Sequence, residues 1–93
     1  MPFALVIDVR IENVDQVRGE LQSQVIPDVK QAPGFVSGIW TADRDSGRGV
    51  GIVVFESREQ AEAMLQRLES GELKSPPGVT GESLLVYEVQ GQA

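Results

Sequence analysis

Two of the side chains that most often carry enzymatic chemistry are missing from this sequence: it contains no cysteine and no histidine. Disulfides and thiolate or imidazole metal sites are therefore excluded, as are Ser-His and Cys-His nucleophilic pairs and a His or Cys ligand to haem iron. Proton transfer and binding fall to carboxylates, Arg, Lys, Tyr, Trp, hydroxyls and the backbone. Asp8 and Arg10 share one face of an apolar stretch, where they are suited to holding a substrate oxyanion or taking up a proton. The same pair also reads as a polar strand end with a surface salt bridge, worth about 0 to 1 kcal/mol. Trp40, the only tryptophan, offers a ring for stacking and an indole N–H donor, or simply a large packing surface. Tyr87 offers a phenol for proton donation, or a half-buried strand residue.

Other candidate motifs weaken on their spacing. Gly47-Arg48-Gly49-Val50-Gly51 resembles a phosphate loop but precedes a strand, whereas phosphate binding needs the loop to open a helix. Turn chemistry accounts for Gly47 and Gly49, and Gly51 makes room on a sheet for a ligand or a neighbouring backbone. Asp43, Asp45 and Glu56 lack the spaced oxygen donors of a calcium loop, so no metal is expected. Glu59, Glu62 and Glu69 read as the solvated face of a helix.

These residues sit on elements that the apolar periodicity defines. Phe3, Leu5, Ile7 and Val9 share one parity and Ala4, Val6, Asp8 and Arg10 the other, which predicts a strand with one wholly apolar face. Asn13 with Gln16 forms a capping box ahead of Val14, Val17, Leu21 and Val25 at helical spacing. Pro27 demands a kink or a fresh helical turn, and Pro33-Gly34 ends the helical region. Strands over about 35–42 and 49–56 flank a polar turn and predict an antiparallel hairpin. The run Ile52-Val53-Val54-Phe55 implies cover on both faces. Ser57 with Gln60 caps a second helix over about 58–70, with Gly71 as its left-handed stop. Residues 71 to 83, including Pro76-Pro77-Gly78, read as a loop, 83 to 89 as the last strand, and 90 to 93 as a frayed tail.

The order strand-helix-strand-strand-helix-strand is the split βαβ arrangement. One α+β domain over residues 1–93 follows, with a four-stranded antiparallel sheet and both helices on one face. Val6, Val36, Trp40, Ile52, Val54, Leu84 and Val86 are too many apolar side chains for the helix side alone. A homodimer joined sheet to sheet is therefore expected, and a domain of 93 residues gains from the added burial. The net charge of −6, with the basic residues scattered singly, disfavours nucleic acid and anionic membrane surfaces as partners. Met1-Pro2-Phe3 opens without a basic leader and no apolar run approaches the ~20 residues of a membrane span, so a cytoplasmic protein is expected.

The element order, with Pro33-Gly34-Phe35 opening the second strand and Val54-Phe55-Glu56-Ser57 leading into the second helix, resembles the dimeric α/β-barrel superfamily. Within it, the antibiotic-biosynthesis-monooxygenase (ABM) group is nearest, over residues 3 to 89. The resemblance implies a ferredoxin-like protomer, a sheet-to-sheet dimer and a pocket between sheet and helices for a planar aromatic molecule. Members include oxygenases of polyphenols that use no metal or flavin, haem-cleaving enzymes, isomerases, lyases and proteins without established activity. In the haem-cleaving branch the aromatic before Glu-Ser is usually tryptophan and a histidine after the second helix ligates iron. Here Phe55 holds that position and histidine is absent, so haem cleavage is not expected. The enzyme reading is a cofactor-independent monooxygenase of an aromatic or quinol, with Asp8, Trp40 and Tyr87 as candidate catalytic groups and Arg10, Gly51 and Phe55 as candidate substrate-binding positions. The competing reading is a non-catalytic dimeric ligand-binding or stress-associated protein in which those positions only pack.

Overall fold

The structure, a computed structural model, describes residues 1–72 and 77–93. Its elements are β1 (Phe3–Ile11), α1 (Val14–Glu20), a π-helical turn (Leu21–Val25), α2 (Ile26–Lys30), β2 (Phe35–Ala42), β3 (Arg48–Phe55), α3 (Arg58–Glu69) and β4 (Val79–Glu88). The four strands form one antiparallel sheet in the order β2-β3-β1-β4. This is the ferredoxin-like α+β, ABM-like fold that the element order implies.

Local chemistry sets the boundaries. The Gln16 backbone N–H donates to Asn13 Oδ1 (3.1 Å) and the Gln60 N–H to Ser57 Oγ (3.3 Å), so both N-caps are made, but the return bond of a capping box is not made at Ser57, where Gln60 Oε1 is buried without a hydrogen-bond partner. Gly34, Gly47, Gly71 and Gly78 take positive φ, and Gly71 ends the helical run just past α3 as its left-handed stop. Pro27 sits in the first turn of α2. Its ring would meet the carbonyl of the preceding turn and it has no N–H to give. The chain answers by widening that turn: the Ile26 N–H bonds to Leu21 O, five residues back.

The last strand is longer than the sequence suggests. Residues 79–82 belong to β4, because the register slips between Asp8↔Ser83 and Val9↔Gly81 and leaves Glu82 as an extra residue. This bulge breaks the period of two that a strand needs to be read from sequence. Pro76, part of the anticipated loop, lies outside the described residues.

Cross-strand partners show which residues share a face. On the face covered by the helices, the rows Phe3–Phe55–Phe35 and Val86–Leu5–Val53 are filled by large side chains. They pack with Val29 of α2 and with Ala61 and Met64 of α3, forming a core in which Leu5, Phe55 and Ala61 are fully buried. Phe35 meets Phe55 edge to face, with centroids 6.4 Å apart. The opposite face carries Ile39, Ile52, Leu85 and Tyr87 exposed in the single chain, with Val6 half-buried and Val54 buried beside them. Ile39 is 57% exposed there and Leu85 46%. Trp40, Leu84 and Val86 instead pack beside the helix-side core. Among the described residues, no helix is long and apolar enough to cross a membrane.

Candidate functional site

Two further rows continue the helix-side face beyond the filled ones: Leu84–Ile7–Gly51–Trp40 and Gly81–Val9–Gly49–Ala42. Down β3 the inward series is Phe55, Val53, Gly51, Gly49, so the side chains vanish toward one end of the sheet. The helices span that end without filling it. The result is a cleft of about 510 Å³, within the range of small-molecule sites.

Its floor is made by Ile7, Val9, Ile11, Gly51, Val79 and Trp40. The indole lies flat over two glycines. A Cβ on Gly38 would stand 2.7 Å from Trp40 Cη2 and one on Gly51 3.1 Å from its Cδ1. Neither glycine has positive φ, so what these positions require is absence of a side chain rather than backbone freedom. Gly49 belongs with them: a Cβ there would meet Ile11 Cδ1 at 2.7 Å. Its role is space on the sheet, not the turn chemistry expected from the sequence.

The roof comes from the helical segments. Val17, Leu21, Val25 and Val29, each four residues apart, present an apolar stripe, and Glu20, Gln24 and Asp28 run beside it with the same spacing. On an α-helix of 3.6 residues per turn, positions four apart creep by about 40° per step. The π turn, placed midway, winds more slowly and brings the stripe back over the cleft, consistent with the frequent occurrence of such turns at functional sites. Leu68 and Glu72, at the end of α3 and just beyond it, close one side.

The candidate residues divide between the two sheet faces. Trp40 and Gly51 line the cleft. Phe55 has the same facing but is fully buried in the filled rows, and it is not a lining residue. Asp8, Arg10 and Tyr87 are on the uncovered face: Asp8 pairs with Val50 and Ser83, and Tyr87 with Ala4. Asp8 Oδ2 accepts a hydrogen bond from the Ser83 hydroxyl at 2.9 Å. Arg10 forms an exposed ion pair with Glu82 at 3.4 Å. Within one chain the sheet itself separates Asp8 from Trp40. The cleft residues that sequence reasoning missed are Glu20, Gln24 and Asp28, because polar residues at helical spacing look the same whether they face solvent or the mouth of a cleft.

A second, shallower cleft of about 470 Å³ lies along β2 and shares Trp40, Ile11, Val17 and Leu21 with the first. Its charged lining is basic, Arg18 and Arg44. Arg44 donates to Asp15 at 2.7 Å. That hydrogen bond and the guanidinium charge hold the Asp15 carboxyl below its ordinary range. Asp43, in the β2–β3 turn, is lowered in the same direction by the Ser46 hydroxyl and the Asp45 N–H. Among the described residues, no group of acidic side chains is arranged to hold a metal ion.

Comparison with known proteins agrees with this architecture. A monooxygenase from the gene ActVA-Orf6 of Streptomyces coelicolor, solved in complex with the ligand nanaomycin D, superposes with a TM-score of 0.60 at 16% identity, covering 98% of this chain and 89% of that one. Rv0793 from Mycobacterium tuberculosis gives a TM-score of 0.57 at 20% identity, covering 100% of this chain and 99% of that one. At these identities the likeness is one of fold. No curated protein matches the sequence. The family described as "Putative mono-oxygenase ydhR" matches residues 4–93, and the chain belongs to that family.

Proposed function

We propose that this protein is a cofactor-independent monooxygenase that seats a planar aromatic or quinol on Trp40, in the cleft between sheet and helices. The observation that carries the reading is the indole laid flat over Gly38 and Gly51 as the floor of an apolar cleft. A ring face presented to a dry, shaped space binds another ring by stacking and excludes water from it. An electron-rich substrate can supply all the electrons. A methylene between phenolic rings reacts with dioxygen to give a carbonyl and water, one oxygen atom going to each product. The protein orients the ring and accepts the first proton. Of the acids that line the cleft, Glu20 and Asp28 form no ion pair with another described residue and are the candidate acceptors, while Glu72 is held by Arg67 at 3.1 Å. The reading includes a homodimer in which the uncovered sheet faces, with Ile39, Ile52 and Leu85 exposed, cover each other.

Oxygen consumption with anthrone as probe tests the chemistry. Uptake above the protein-free rate, with anthraquinone as product and an at least tenfold loss in Trp40→Ala, supports the assignment; uptake indifferent to Trp40→Ala overturns it. Sedimentation tests the assembly. Twice the 10.1 kDa chain mass is expected, reduced to one chain by Ile39→Lys.

One observation favours a second reading, a ligand-binding protein without catalysis. No polar or charged side chain is buried among the described residues, so the cleft encloses no acid or base against a bound ring. Binding of planar aromatics by wild type without oxygen uptake selects this reading.

A further inference from the structure

The cleft is uneven in charge as well as in shape. Its ionisable lining among the described residues is wholly acidic: Glu20, Asp28 and Glu72. Glu72 is engaged by Arg67. Glu20 and Asp28 stand eight residues apart on one stripe, beside the apolar residues of the roof, with Gln24 between them. No Arg or Lys among the described residues lines the cleft. Among the described residues, Arg18 and Arg44 line the second cleft, which shares Trp40 with the first.

We infer that the cleft selects its aromatic ligand by charge: it takes neutral or cationic planar molecules and turns away those bearing a carboxylate or sulfonate, with Glu20 and Asp28 as the specificity-determining residues. This rests on the reading of the cleft as an aromatic site and narrows its substrate class. The physical basis is direct. A ligand in the cleft lies between a low-dielectric sheet and helices that carry two negative charges at the mouth, and such walls focus the field into the opening. Glu20 is half-buried and Asp28 exposed, and two carboxylates so placed shift the affinity of a unit charge by about tenfold at low ionic strength. Salt screens the effect, since the Debye length is about 10 Å at 0.1 M. A neutral phenol or quinol meets no such penalty. When one of the two carboxylates takes the proton, the other still raises the energy of the anion formed in the cleft and makes it a stronger electron donor to dioxygen.

The test uses three probes of one size: 1-naphthylmethanol, 1-naphthylmethylammonium and 1-naphthoate, titrated calorimetrically into the full chain at low salt. The alcohol and the ammonium are expected to bind at least tenfold tighter than the carboxylate. In Glu20→Gln/Asp28→Asn the span between ammonium and carboxylate is expected to fall below about threefold. In Glu59→Gln/Glu62→Gln, which removes the same charge from α3 away from the cleft, the span is expected to persist. Circular dichroism confirms that both variants are folded. Equal affinities for all three probes in wild type overturn the charge selection and leave the aromatic cleft standing, as does a span that survives neutralisation of Glu20 and Asp28. Failure of all three probes to bind overturns the aromatic cleft, and this inference with it.

Discussion

The placement of Trp40 over glycine makes a demanding prediction about Gly38. A Cβ at this position would lie 2.7 and 2.8 Å from two carbons of the indole, closer than packed carbons approach. Gly38→Ala must therefore lift the ring off the sheet and into the cleft. Overpacking of this kind costs about 1 to 3 kcal/mol. Against it stands the gain from replacing glycine inside a strand, about 0.5 to 1 kcal/mol. The single variant should be less stable than wild type by up to about 2.5 kcal/mol on these two contributions. With Trp40→Leu in the background the clash is gone and only the gain remains, so the same substitution should become stabilising. The coupling between the two positions is then about 1 to 3 kcal/mol, well above the ~0.5 kcal/mol within which independent sites add. Urea unfolding followed by far-ultraviolet circular dichroism measures all four corners of the cycle without relying on the tryptophan. A coupling below ~0.5 kcal/mol would refute the claim that Gly38 exists to seat the indole. It would also remove the main support for Trp40 as the floor of a binding site.

Asp8→Asn and Tyr87→Phe, both on the far side of the sheet, should leave the affinity for 1-naphthylmethanol within twofold of wild type, whereas Trp40→Ala should weaken it about tenfold, the ~1.4 kcal/mol expected of a lost stacking partner; isothermal calorimetry decides, and a tenfold loss in Asp8→Asn would place that carboxylate in the site after all. Ser57→Ala removes the acceptor for the Gln60 N–H and should cost about 1 kcal/mol in urea unfolding, with no loss of ligand affinity. Asp15 is held below its ordinary range by Arg44, so this pair adds stability above the unfolded carboxylate pKa of about 3.9 and loses it as the pH falls through the lower folded value. The stability difference between wild type and Arg44→Met should accordingly shrink from pH 5 to pH 2; a difference that stays constant across that span contradicts the ion pair.

Most of the architecture can be read from residue types. Asn13, Ser57, Pro33-Gly34 and Gly71 mark the helix ends because each satisfies a local requirement of the backbone. The parity of β1 separates Leu5 and Ile7 from Val6 and Asp8 without reference to any other strand. Where partners are needed, legibility fails. The side of the sheet to which Trp40 points depends on its register with Gly51, and that register passes through an irregularity between Phe35 and Ser37. The early start of β4 depends on a bulge at Glu82 that only pairing with β1 reveals. Gly49 and Gly51 are visible as glycines next to a turn, yet their meaning as a pair comes from the side chains that lie above them. The acids of the cleft mouth are the least legible part, since Glu20 and Asp28 satisfy the rules for a solvated helix face while also facing a cavity.

The strand order also governs how this chain can come together in time. β1 is synthesised first but lies inside the sheet, with Phe3 opposite Phe55 on one side and Glu88 on the other. The β2–β3 hairpin closes over a short turn and can form on its own, whereas β1 must wait for residues about fifty and then about eighty-five positions away. Distant pairings of this kind slow folding, because the loop must be closed before any contact repays it. During that wait the apolar face of β1 has no cover, and its unpaired edge can add a strand from another chain. Assembly of the sheet is therefore expected to be the slow, concentration-sensitive step in producing this protein. Agents that hold β1 apart from other chains until β4 arrives should raise its yield more than agents that stabilise the finished fold.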